Sequence, residues 1–117
     1  MTVKTESVHT GEFLISEGNN SISRENVKLL ANKSYVVGEV LTKTSDGYYK
    51  AYDLTSSGAA GVIFADVESG DNDGQGLAIV RLAEVKAALL VWPENLSEDD
   101  IDKAIDELAA HDIVVRS

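Results

Sequence analysis

The stretch Gly58-Ala59-Ala60-Gly61 leading into Val62-Ile63-Phe64-Ala65 has no polar face, and it constrains the fold more than any other segment. A run of this length, bounded by glycine and rich in β-branched residues, reads as a strand buried on both sides. Such a strand needs other elements packed over each face. Leu77-Ala78-Ile79-Val80 makes the same demand. The chain must therefore build a layered β core around at least two interior strands.

The flanking segments supply partners for them. Tyr35-Val36-Val37 and Val40-Leu41 lie on either side of Gly38, whose missing side chain suggests a bulge or a close backbone approach. Asp46-Gly47 is a hairpin turn signal, and Tyr48-Tyr49-Lys50-Ala51-Tyr52 fits the returning strand. The stretch from Glu68 to Gly76 reads as an exposed loop. Past it the period changes. Val85, Ala88, Leu89 and Trp92 recur at helical spacing, which predicts a short helix stopped by Pro93. A second helix is expected to start at Ser97 as N-cap, with Glu98, Asp99 and Asp100 in its electropositive first turn and Leu96 stapled against Ile101. Ile101, Ile105 and Leu108 form its apolar stripe, and Ile113-Val114-Val115 predicts a closing strand. The expected fold is mainly β with one or two short helices, an α+β single domain.

The N-terminal part is different. Residues 1–12 are polar apart from isolated apolar positions, too polar to offset the entropy of ordering, and so predict a mobile arm. Phe13-Leu14-Ile15 is a short strand-competent cluster within this tail, closed by Glu17-Gly18-Asn19-Asn20. The reading places a flexible arm over residues 1–21 and the folded body over 22–117.

The 117 residues suit one domain, and the absence of cysteine excludes disulfides, thiolate metal sites and a cysteine nucleophile. A formal net charge of −10 argues against nucleic acid and against an anionic membrane surface, since both attract lysine and arginine. The N-terminus lacks the apolar stretch of a signal peptide and the apolar runs are far shorter than a bilayer span, so the chain reads as soluble and unprocessed.

A search for chemistry finds little. Counting Asp71 as the first position of a calcium loop puts Asp73 third and Gly76 sixth, but Leu82 stands where the bidentate glutamate belongs. A solvated turn is the simpler account. His9 and His111 have no second ligand at metal-binding spacing. No serine lies in a nucleophile elbow, and no glycine-rich stretch matches a phosphate-binding loop. No metal, no cofactor and no catalytic residue is expected. Arg81, directly after an interior strand, suits a packed ion pair. Arg24 is open between such a role and pinning the root of the arm.

Taken in order, several words resemble the head-decoration proteins of lambda-like phages. They are His9-Thr10-Gly11-Glu12-Phe13-Leu14-Ile15-Ser16-Glu17, Ser23-Arg24-Glu25-Asn26-Val27, Gly38-Glu39-Val40-Leu41, Ala60-Gly61-Val62-Ile63, Val80-Arg81-Leu82-Ala83-Glu84-Val85 and His111-Asp112-Ile113-Val114-Val115-Arg116. The resemblance spans about residues 9–116, and Trp92-Pro93 adds to it. It implies a homotrimeric structural protein on the outside of the virion capsid, assembled in the host cytoplasm as a late product. That protein would bind the coat protein after shell expansion and reinforce the shell against internal pressure. On this reading the capsid-binding residues are Glu12, Phe13, Leu14, Ile15 and Arg24, with the arm adding as a strand to the coat protein. Two alternatives stay open: an acidic β-rich adaptor that uses the same arm on another partner, and a small carboxylate-dependent hydrolase.

Overall fold

The computed structural model describes residues 13–18, 22–30, 34–53, 58–68, 74–94 and 96–116. Ten strands and one α-helix follow one another as β1 (Leu14–Glu17), β2 (Arg24–Leu29), β3 (Ser34–Tyr35), β4 (Val40–Lys43), β5 (Tyr49–Ala51), β6 (Ala59–Ile63), β7 (Val67–Glu68), β8 (Gly74–Ile79), β9 (Ala83–Lys86), α1 (Glu98–Ala109) and β10 (Ile113–Arg116). The fold is mainly β, as the sequence predicts. Strands β2, β5, β4, β6 and β8 close into a barrel in that order. Strands β1, β9 and β10 form a separate sheet with β9 in the middle, and β3 pairs with β7 as a short ribbon.

The two-sided apolar run is the hinge of this arrangement. Every residue of β6 is buried. Ala60 and Ile63 join Leu29, Leu41, Tyr49 and Ala78 in one apolar cluster. Ala59 and Val62 join a second cluster with Val40, Ile79, Val85, Leu108 and Ile113. β6 and its neighbour β8 thus serve two cores, which is why neither shows polar alternation. The second cluster is roofed by α1 and by the three-stranded sheet.

Local chemistry sets several boundaries. The β4–β5 hairpin turns through Gly47 at φ +87°, with the Gly47 N–H donating to the Thr44 carbonyl at 3.0 Å. Gly38 has φ +88°, and a Cβ there would stand 2.3 Å from the Leu89 carbonyl oxygen, so the close approach expected at this glycine is present. Helix α1 opens with a capping box: Ser97 accepts from the Asp100 N–H while the Asp100 carboxylate accepts from the Ser97 N–H. Its fully buried residues are Ala104 and Leu108, whereas Ile101 and Ile105 are half-buried. The helix docks on β6 through Glu107, whose Oε1 accepts the Ala59 N–H at 3.0 Å.

Three expectations are corrected. The predicted helix through Val85 and Trp92 is instead β9 followed by one 3-10 turn, Ala87–Leu89. Val85 is buried by strand pairing, and Val91 forms a bridge with Glu39. Long-range pairing has overridden a helical period carried by few residues. The loop read as far as Gly76 ends earlier, because Gly74, Gln75 and Gly76 pair with Leu29, Lys28 and Val27. Asp71 and Asp73 lie outside the described residues.

The third correction concerns the boundary between arm and body. Phe13 is 0% exposed and sits in the second cluster, and β1 pairs with β9, so the core extends N-terminally well past residue 22. Burying one phenylalanine contributes about 1.5–3 kcal/mol, enough to fasten a four-residue strand that is also hydrogen-bonded. Residues 1–12 lie outside the described residues.

Candidate interaction surface

The three-stranded sheet carries Leu14 and Ile15 of the residues singled out from sequence, and Phe13 and Arg24 flank it. β1 runs antiparallel to β9, with Leu14 opposite Val85, Ser16 opposite Glu84 and Glu17 opposite Ala83. The register shifts between Leu14 and Ser16, so Ile15 is the residue of a bulge. β10 runs parallel to β9 on its other side, with Ile113 opposite Ala83 and Val114 opposite Glu84. Alternation then sends Ala83, Val85 and Ile113 into the core and leaves Ser16, Glu84, Val114 and Arg116 on the outer face.

That outer face is held by one carboxylate. Glu84 Oε2 accepts from the Ser16 hydroxyl at 2.7 Å, and Glu84 Oε1 accepts from Arg116 Nε at 2.8 Å. The central strand is thereby tied to both of its neighbours. The Ser16 hydrogen bond first, and then the Arg116 hydrogen bond and charge, hold the Glu84 carboxyl below its ordinary pKa. Around this polar centre lie two exposed aliphatic side chains, Ile15 at 47% and Val114 at 40%. Among the described residues no strand pairs with the far edge of β1.

β1 is clasped at both ends. At its start, the Phe13 carbonyl accepts the Lys86 N–H at 2.7 Å, and the ring meets Phe64 edge-on at 6.4 Å. At its end, Arg24 donates Nε to Glu17 Oε2 at 2.9 Å and pairs through its second nitrogen with Oε1 at 2.7 Å. The same guanidinium lies 4.1 Å from the centroid of the Phe64 ring. Arg24 is therefore both ion pair and cation–π partner, which fixes the strand's exit. Just beyond, the buried Ser23 hydroxyl accepts the Gly18 N–H at 2.7 Å and donates to the Leu82 carbonyl at 2.8 Å. Leu82 sits at φ +51° with its side chain 45% exposed, beside the exposed Ile22. A leucine in the left-handed region is held against a cost of about 1 kcal/mol or more.

The five residues read as capsid-binding thus meet different fates. Glu12 lies outside the described residues. Phe13 is interior, Leu14 is half-buried against the core, Ile15 projects into solvent, and Arg24 is committed to Glu17 and Phe64. Sequence reasoning missed Ser16, Glu84, Val114 and Arg116, because only a long-range register brings them together. Arg81 forms the ion pair expected of it, with Glu25 at 2.7 Å, and also donates to the Ile22 carbonyl. That pair is surface-exposed rather than packed.

A second concavity lies away from this sheet. Val36, Val40, Tyr52, Val91, Trp92 and Pro93 line a groove of about 560 Å³, rimmed by Glu39, Lys50, Asp53 and Glu94. Trp92 meets Tyr52 edge-on at 6.4 Å and 83°. Burial first, and then the neighbouring carboxylates led by Glu107, push the Tyr52 hydroxyl above its ordinary pKa. Among the described residues no three His, Cys, Asp or Glu side chains gather as a metal site, and no helix is long and apolar enough to cross a membrane.

Among the described residues the fold is a small closed barrel bearing a three-stranded sheet whose β1 edge is unpaired. The family model of bacteriophage lambda head decoration protein D matches residues 3–113, and the chain belongs to that family. The family is one of phage structural proteins and not of enzymes. No curated protein matches the chain.

Proposed function

We propose that this chain decorates the outside of an expanded phage head as a homotrimer and braces the shell against the pressure of packaged DNA. Membership of the head-decoration family supports the capsid as its place. The observation that carries the contact surface is the outer face of the β1–β9–β10 sheet, where among the described residues the far edge of β1 is unpaired next to exposed Ile15, and exposed Val114 stands across Glu84 on β10. An open edge offers backbone groups to a partner strand, and flanking aliphatic side chains supply pockets or knobs for register. A coat-protein strand added at this edge would meet Ile15.

Phe13 holds β1 in place rather than touching the coat protein, and Arg24 acts through Glu17. Three copies carry three times −10, or −30, in formal charge, so apolar contact between subunits must outweigh self-repulsion. Three weak attachments per trimer combine through effective concentration. The same charge leaves nucleic acid and anionic membrane as poor partners, and assembly belongs to the late stage of growth in the host cytoplasm.

Co-sedimentation with expanded and unexpanded capsids tests this. Binding to the expanded form alone is expected, weakened by Ile15→Asp and Val114→Asp without loss of fold. Equal binding by the doubly substituted protein would place the contact elsewhere. Sedimentation equilibrium at low and moderate salt tests the trimer, and a monomer in both would remove it.

A further inference from the structure

The corner where β9 begins combines a strained backbone with apolar side chains in solvent. Leu82 has φ +51°, a region that glycine and asparagine enter readily and leucine enters at a cost. Its carbonyl accepts the Gly18 N–H at 3.0 Å and the Ser23 hydroxyl at 2.8 Å, which hold it there. Ile22 belongs to the same corner. Arg81 Nη1 donates to the Ile22 carbonyl at 2.8 Å, and a Cβ added to Gly18 would stand 2.2 Å from Ile22 Cγ2. Leu82 and Ile22 are nevertheless 45% and 49% exposed. Strained positions cluster at sites of contact and function, and a leucine held this way with nearly half its surface in solvent points outward to a partner.

The charges around this corner are matched. Arg81 pairs with Glu25 and Arg24 with Glu17, each at 2.7 Å. The parallel register of Ile113 with Ala83 sets Asp112 alongside Leu82 on the β10 side. These five residues, two positive and three negative, sum to −1 on a chain of −10. Residues 19–21, between Gly18 and Ile22, carry no charge. A strongly charged partner of either sign finds little to prefer here, and another acidic copy of this chain meets little repulsion. The signs are also separated along the sheet. Arg81 is fastened to Ile22 on the β1 side and Asp112 lies on the β10 side, so neighbouring copies can face each other with unlike charges. We infer that this corner is the contact between copies of the chain, with Leu82 and Ile22 of neighbouring copies packed together and Arg81 of one facing Asp112 of the next. The inference rests on the homotrimer proposed above and assigns its apolar contact, while the outer face of the sheet stays free for the coat protein.

Sedimentation equilibrium of the full chain at micromolar concentrations tests this. The unsubstituted protein should be a trimer. Leu82→Asp and Ile22→Asp should each sediment as a monomer, because association would bury unpaired carboxylates in an apolar contact. Leu82→Gly removes the side chain at a backbone angle that glycine adopts freely, so its far-UV spectrum and Trp92 emission should be unchanged. Its association should weaken about tenfold or more, the size of losing one buried leucine. Asp112→Asn keeps a residue suited to φ +62° and should weaken association about two- to fivefold, the size of an exposed charge pair. A trimer that survives both Leu82→Asp and Leu82→Gly with undiminished affinity would overturn the inference and leave the homotrimer standing. A monomer of the unsubstituted protein would remove the homotrimer and the inference together. Leucine variants that stay trimeric but no longer co-sediment with expanded capsids would make the coat protein the occupant of this corner, and so overturn the inference as well.

Discussion

The barrel and the three-stranded sheet are made of similar short strands, yet they present opposite surfaces. Closure through β2 and β8 leaves the barrel without a free edge, and β6 within it is buried throughout. Among the described residues the sheet has open edges, and Ile15, Ile22, Leu82 and Val114, four of the six exposed large aliphatic residues there, lie on it or in the turns beside it. Barrel interior contacts are apolar. The sheet's outer face is held by Glu84, Ser16 and Arg116. The difference teaches a division of labour: the barrel turns its aliphatic side chains inward, and the sheet leaves several of its own in solvent.

The comparison is broken most directly at Phe13, where the sheet reaches into the core. Phe13→Ala should lower the unfolding free energy by about 3–5 kcal/mol, while deletion of residues 1–12 should leave the urea midpoint unchanged. A cost for Phe13→Ala below about 1 kcal/mol would mean that β1 is not coupled to the core. Next in size is the helix that roofs both regions. Ser97→Ala removes the cap and should cost about 0.5–2 kcal/mol in the same experiment.

Arg24→Ala sharpens the picture of the clasp. Its pair with Glu17 is about a third exposed, so global stability should drop by no more than about 1 kcal/mol. Hydrogen exchange at the β1 amides should nevertheless accelerate while the β6 amides stay protected. Alkaline pH probes the barrel side. Tyr49 and Tyr52 both titrate above the ordinary 10.0, chiefly through burial, so the folded state favours their neutral forms. Their contribution is complete below pH 10 and is lost as pH rises through the folded values. Stability measured by urea should fall above pH 10, and less steeply in the Tyr52→Phe protein.

The smallest effect is expected at Glu84. Its lowered pKa gives a contribution present above the unfolded carboxylate value and lost as pH falls through the folded one. Glu84→Gln should flatten the acid side of the stability curve slightly. If the curve is unchanged, the Ser16–Glu84–Arg116 link holds the face in shape without stabilising the fold.

Local chemistry was the part legible from sequence. The two-sided run at Val62, the Asp46-Gly47 hairpin, the Ser97 cap and the close approach at Gly38 are each written in a few adjacent residues. The regions misjudged depend on distant pairing. Val85, Ala88, Leu89 and Trp92 satisfy a helical period, and nothing local announces that β9 will lie between β1 and β10. Phe13 follows a polar stretch and borrows its place in the core from Phe64 and Val85. The candidate surface was half visible: Leu14, Ile15 and Arg24 were named, but Ser16, Glu84, Val114 and Arg116 are joined only by register. The groove is assembled from Val36, Tyr52 and the Val91–Glu94 segment, and no spacing links them.

The pairing of β1 with β9 has a consequence in time. Ser16 and Glu84 are 68 positions apart, so β1 has no partner until the chain has been made and collapsed well past the barrel. Loops of that span close slowly, and contacts that depend on them form late. β1, the first of the described strands, is expected to settle late. During that interval its edge and the apolar Phe13 stand open to any strand nearby, which makes this segment the point where newly made copies could exchange strands or aggregate.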